Sequence, residues 1–235
     1  MFDSGWPMAA VAPEVADQAR PVTLAGHRLL PVLAGLEELL PGRGLRRGST
    51  VAVTGCPSLA LALVAGPSIA GSWCAAVGLP SLGLAAAGEL GVVLPRLALV
   101  PEPGREWASV VATVVDAVDL VLVAPPAGGV RPSDARRLAA RCRERGAVLV
   151  VVGPWDGADV RLGVVASRWE GMGQGCGHLR ARRVEVEAQG RGAAARPFRT
   201  SLWLPAEDGR VCELGAKSHA GACDLHARTP RGRAG

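Results

Sequence analysis

The stretch VAVTGCPSLALAL, residues 51–63, reads as a β-branched strand, a glycine turn and the start of an apolar helix. That order is the setting of a Walker A phosphate loop, G-x-x-x-x-G-K-[ST]. Gly55 stands at the first glycine of the pattern. The second glycine falls on Ala60, the lysine on Leu61 and the hydroxyl residue on Ala62. The lysine of such a loop meets the β- and γ-phosphates and the hydroxyl holds Mg²⁺; Leu61 and Ala62 can do neither. Gly55, Ser58, Leu61 and Ala62 therefore form a degenerate nucleotide site, and no cofactor is expected. Backbone N–H groups at the helix N-terminus could still meet a phosphate without a lysine. An ordinary strand-to-helix turn is the simpler alternative, because Pro57 removes one donor.

Outward from this stretch, strands and helices alternate. Strands are expected at Ser49–Thr54, Trp73–Val77, Leu97–Val100, 119–124 (DLVLVA) and 147–152 (AVLVVV). The last two are continuous apolar runs, typical of strands buried on both faces. Helices are expected near 58–66, 81–90, 106–118 and 133–145. In the third, Trp107, Val110, Val111, Val114 and Val115 form a core-facing stripe. The fourth starts at Ser133 and stops at Gly146, with Arg136, Arg137, Arg141, Arg143 and Arg145 on its outer face. That face could meet DNA phosphates, but no aromatic is interleaved with it, and a solvated face is the favoured reading. A short amphipathic helix is expected within 29–47. After residue 160 the rhythm changes to alternation at 160–170, 182–188 and 198–204, three antiparallel strands around a glycine-rich loop, 171–180. The fold class expected is α/β: a mostly parallel, doubly wound sheet extended by antiparallel late strands. Residues 1–28 read as a flexible arm, 29–205 as the folded domain and 206–235 as a polar, disordered tail.

The 235 residues are 49% hydrophobic, enough for a sizeable core. Their net charge of +5 permits an anionic partner without demanding one. Lys217 is the only lysine, so Arg carries nearly all the positive charge. The opening residues lack a basic secretion signal, no apolar run reaches bilayer length, and the six cysteines show no paired spacing. A cytoplasmic protein with no membrane contact is expected. Cys212, His219, Cys223 and His226 match no standard zinc spacing, and Cys176 with His178 is no better, so no metal is expected. The histidines fall outside the expected core and offer no acid–base constellation.

The order of elements over roughly residues 35–205 resembles the RecA core, here with degenerate Walker motifs. Four stretches carry the resemblance: residues 51–63, 73–103, VDAVDLVLVAPP (115–126) and RRVEVEAQGRGAAARPFRTSLWL (182–204). The departures coincide. The segment holding the catalytic glutamate in RecA is Gly78-Leu79-Pro80-Ser81 here. The Walker B acid falls on Ala124 or Pro125, and the Walker A lysine on Leu61. The resemblance thus implies a RecA-like protein that is not an enzyme. Phrases such as LPGRGLRRGSTVAV (40–53) and RLGVVASRWEGMGQGCGHLRARRVEV (161–186) are similar to the ImuA-prime group, accessory factors of an actinobacterial mutagenesis cassette.

That resemblance implies a role in damage-induced (SOS) translesion DNA synthesis. The implied partners are the Y-family polymerase-like protein ImuB, with RecA, an error-prone C-family DNA polymerase and DNA also in reach. The same broader family holds SulA-like cell-division inhibitors, which stand as the alternative beside a cryptic nucleotide-binding protein. Trp155, Arg168, Trp169 and Trp203 lie on or beside the late strands and are candidates for partner contact, since Trp is common at binding hot spots. For Trp203 a cap on the core under the hairpin is the favoured reading. Arg180, Arg182, Arg183, Arg191, Arg196 and Arg199 flank the segment that corresponds to DNA-facing loops in RecA, and are the candidates for DNA contact; a plain hairpin is the alternative.

Overall fold

The computed structural model describes residues 29–173, 176–191 and 197–214. A nine-stranded sheet runs through the molecule. Its strands are β3 (Thr50–Thr54), β4 (Cys74–Val77), β5 (Leu97–Val100), β6 (Leu120–Val123), β7 (Val148–Val152), β8 (Val160–Gly173), β9 (Cys176–Gly190), β10 (Phe198–Trp203) and β11 (Cys212–Glu213). Their order is β11-β10-β9-β8-β3-β7-β6-β4-β5. β3 to β8 are parallel, and β9 to β11 extend the sheet antiparallel. The mixed α/β class with a large, mostly parallel sheet is as expected.

Helices cover both faces of the parallel part. α1 (Pro57–Ile69) and α2 (Leu84–Glu89) lie on one face, α3 (Trp107–Ala117) and α4 (Pro132–Arg145) on the other. α1 is apolar all round because it is buried all round, between the sheet and residues 30–45. A Cβ on Gly66 would lie 2.5 Å from the Val32 Cα, so only glycine allows this approach. The expected α-helix within 29–47 is replaced by two 3-10 turns, Ala34–Leu39 and Pro41–Arg43. They lie between the short paired strands β1 (Leu29–Leu30) and β2 (Leu45–Arg46). Pro31, Gly35, Pro41 and Gly42 break any longer helix there.

No helix joins β7 to β8. Residues 153–159 instead cross the α3/α4 face of β3 directly, with Gly153 N–H donating to the Val53 carbonyl and Asp159 N–H to that of Thr50. Trp155 and Ala158 of this crossing stand in for a helix, packing into the same core as Ala52 and Leu149.

Two carboxylates fasten the amino edge of the sheet. Asp119 accepts Arg47 Nη1 at 2.9 Å and the Trp73 N–H at 3.1 Å, tying the starts of β4 and β6 to the segment before β3. Asp159 Oδ2 accepts the Thr50 N–H at 2.8 Å and its hydroxyl at 3.1 Å, fixing β8 beside β3. On the outer surface, Asp116 of α3 accepts Arg141 Nε at 2.7 Å and Arg145 Nε at 3.0 Å from α4.

The described fold runs on past Pro205: Ala206 is buried and Cys212–Glu213 pairs with β10. The glycine-rich segment 171–180 is largely strand rather than loop, because β8 and β9 pair almost to their shared tip, with irregularities near Val165 and Gly171. Gly171, at φ +107, lies too close to the His178 carbonyl for any side chain.

Two outcomes test this account. Asp119→Ala strands the Arg47 guanidinium and the Trp73 N–H, and is expected to cost about 3 kcal/mol in urea unfolding. The Arg141 hydrogen bond holds the Asp116 carboxyl below its usual range. Its stabilising contribution is therefore full above the unfolded carboxylate value near ~4 and fades as pH falls through the lower folded value. Asp116→Asn should accordingly be less stable than the native chain at pH 7, with the gap closing in acid.

Candidate functional site

Ligands of open α/β sheets bind outside the carboxyl ends of the parallel strands. Gly55, Gly78, Ala124 and Gly153 mark that edge here, each following the end of its strand. The turn after β3 is short. Gly55 takes φ +81, and a Cβ there would lie 2.8 Å from the Val164 carbonyl oxygen of β8. Cys56 follows as N-cap, and α1 begins at Pro57. Ser58 is therefore already in the first helical turn rather than in a loop. Leu61 and Ala62 of α1 are buried in the apolar core. The residues of the degenerate nucleotide site are thus adjacent, but they form a tight strand-to-helix turn and not an open cradle.

The other two motif positions are likewise occupied by structural contacts. The Ala124 carbonyl accepts a 2.8 Å hydrogen bond from Trp107 Nε1. A Cβ on Gly78 would press on that same carbonyl at 2.8 Å. Trp107 meets Trp155 at 6.4 Å between ring centroids, tilted by 50°. The pair closes the α3/α4 side of the edge. Above it, Pro125, Val130, Pro154 and Trp155 line a hollow of about 430 Å³.

Trp155 is only 5% exposed, so its expected role in partner contact is corrected: it is a core residue. The sequence pattern missed this because the 153–159 crossing carries no periodicity, yet must cover β3. The remaining partner candidates lie farther along the late strands and separate onto two faces. Arg168 of β8, Arg183 of β9 and Trp203 of β10 are register partners and share one face. Trp169 pairs with Arg182 on the opposite face, the α1 side, where the Arg182 guanidinium lies 5.7 Å over its ring. Arg182 Nη1 also lies 3.3 Å from Cys56 Sγ at the head of α1. Trp169 stays 44% exposed; Val165 and Leu179 are also exposed on these two strands, Leu179 on the face opposite Trp169. The ends of β8 and β9 therefore form a two-stranded ribbon that rises from the carboxyl edge with apolar side chains in solvent.

Among the described residues, the arginines expected to contact DNA do not form one patch. Arg182 is turned toward α1, while Arg183 faces the other way. Arg199 is held by Glu187 at 2.6 Å. Arg180 is exposed on the ribbon. Arg191 lies at the far end of β9, about 36 Å away along an extended strand. Arg196 lies outside the described residues, as do His219, Cys223 and His226. Among the described residues no group of three His, Cys, Asp or Glu side chains is placed to hold a metal. Burial pushes the Cys74 and Cys142 thiols up to about 12, which makes them packing groups rather than nucleophiles. Among the described residues no helix is long and apolar enough to cross a membrane.

Residues 38–157, from the first 3-10 turn through the β7–β8 crossing, match the MT3502 N-terminal domain family. The chain belongs to that family. It is also similar to Rv3395c of Mycobacterium tuberculosis (strain ATCC 25618 / H37Rv), an uncharacterized protein, with 35% identity over 152 residues that cover 61% of this chain and 74% of the relative. The ribbon formed by β8 and β9 lies beyond the segment matched to the family.

The two exposures give a direct contrast. Trp155→Ala empties a packed site and is expected to cost roughly 3–5 kcal/mol in thermal or urea unfolding. Trp169→Ala, on the ribbon, is expected to cost under about 1 kcal/mol.

Proposed function

We propose that this chain is a non-catalytic, RecA-like accessory protein of damage-induced mutagenesis, acting in the cytoplasm by binding a Y-family polymerase-like partner of the ImuB kind. The observation that carries the reading is the turn after β3. Where a nucleotide-binding protein needs an open loop ending in lysine and a hydroxyl, this chain goes from Gly55 to a helix at Pro57 and buries Leu61 and Ala62. An architecture of this type, kept without a phosphate cradle, favours a function in binding other macromolecules. The parallel sheet with antiparallel late strands supports the RecA-like part of the reading. A mycobacterial relative agrees with its actinobacterial setting.

The β8–β9 ribbon is the surface best suited to the partner. Its strands leave the body of the sheet, and Val165, Trp169 and Leu179 stay exposed without a covering element among the described residues. Exposed aromatic and aliphatic side chains beside arginines are the composition of protein-binding hot spots. RecA and an error-prone C-family polymerase would join through the same assembly.

Co-purification with the polymerase-like partner tests this. The full chain and a chain ending at Leu214, which keeps β11, are both expected to retain the partner. Trp169→Ala with Leu179→Ala is expected to weaken retention at least ~10-fold, the loss of about one hot-spot contact. Failure of the full chain to bind would overturn the reading, and filamentation of cells on overproduction would then favour the division-inhibitor alternative.

A further inference from the structure

The five arginines of α4 are not equivalent in the structure. Arg137 is held by Asp134 at 3.3 Å, and Arg141 and Arg145 by Asp116 of α3. Arg136 and Arg143 have no acidic partner among the described residues. Seven positions apart, they share one stripe of the helix, about 10 Å from end to end. That stripe forms one wall of a cleft of about 470 Å³, and residues 156–157 of the β7–β8 crossing form the facing wall. Arg191, brought in from the end of β9, completes the lining. Its guanidinium lies 3.8 Å from where a Gly157 Cβ would stand, and its backbone N–H is fixed to the Asp159 carbonyl at 3.0 Å. Arg191 also reaches a neighbouring hollow that Arg46 lines, so the basic strip continues toward the amino edge of the sheet. Asp156 is the one carboxylate lining the cleft among the described residues.

We propose that this cleft holds the phosphodiester backbone of a nucleic acid. Guanidinium groups grip phosphate oxygens bidentately. Three of them spread along a cleft suit a polymer of repeating charge better than a single anion. The walls between them are Pro132, Ala135, Ala139 and Gly157. These offer no deep apolar pocket to anchor a side chain of an acidic peptide, and no aromatic ring on which a base could stack. Recognition is therefore of backbone and independent of sequence. The cleft lies away from the ribbon assigned to the protein partner and needs no partner to act.

The test is fluorescence anisotropy of the isolated full chain against a labelled duplex and a thymidine oligonucleotide of equal length, over a salt series. Binding should weaken with salt. Replacing Arg136, Arg143 and Arg191 together by Ala should lower the slope of log K on log salt by about two to three and reduce affinity at least ~10-fold. Arg105→Ala, which does not line the cleft, should leave both unchanged. The triple Lys variant keeps the charges and should keep most of the slope, which separates charge loss from misfolding. Stronger binding to the oligonucleotide would identify single strands as the ligand, and stronger binding to the duplex would identify double strands. No binding to either probe, binding unchanged in the triple Ala variant, or stronger competition by poly-glutamate than by unlabelled DNA would overturn the proposal, the last in favour of an acidic protein segment.

Discussion

β8 lies so close to the end of β3 that only glycine fits at the turn between β3 and α1. A Cβ on Gly55 would sit 2.8 Å from the Val164 carbonyl oxygen, and the residue takes φ +81 to turn away. With β8 against it, the chain enters α1 at once, and the helix can then bury Leu59 to Ser68 without interruption. The same parallel pairing carries β8 beyond the end of β3, so that with β9 it becomes an exposed ribbon. The tight turn into α1 and the projecting surface thus follow from one packing contact.

The opposite edge of the sheet is held by polar groups. Asp119 and Asp159 accept backbone N–H groups at strand starts that would otherwise be buried unpaired, at a cost of about 1–3 kcal/mol each. The two edges therefore divide the labour. The amino edge is stapled, and the carboxyl edge is closed by Trp107, Trp155 and the Gly55 turn. What stays accessible lies beside these closures: the ribbon on one side, and the arginine cleft behind the β7–β8 crossing.

The alternation of strands and helices was legible because apolar periodicity is local. Leu120–Val123 and Val148–Val152 read as doubly buried strands and are so. Leu61 and Ala62 read as departures from a motif, and the structure buries both as apolar residues of α1. Long-range geometry was not legible. Trp155 looked like a surface residue because nothing in 153–159 signals a crossing over β3. The glycine run 171–180 hides a ribbon because its pairing is set by the partner strand rather than by propensity. The outer face of α4 reads as five equal arginines; Asp134 within the helix and Asp116 of α3 sort them into paired and unpaired sets.

The proposed function requires that the turn after β3, closed by Gly55 and the helix start at Pro57, bind no nucleotide. It is tested most directly by the melting temperature of the full chain as Mg²⁺-ATP is raised. A ligand that binds only the folded state stabilises it by about 2.7 kcal/mol at ~100 times its Kd. The account predicts no shift up to millimolar nucleotide. A concentration-dependent rise in Tm would contradict it.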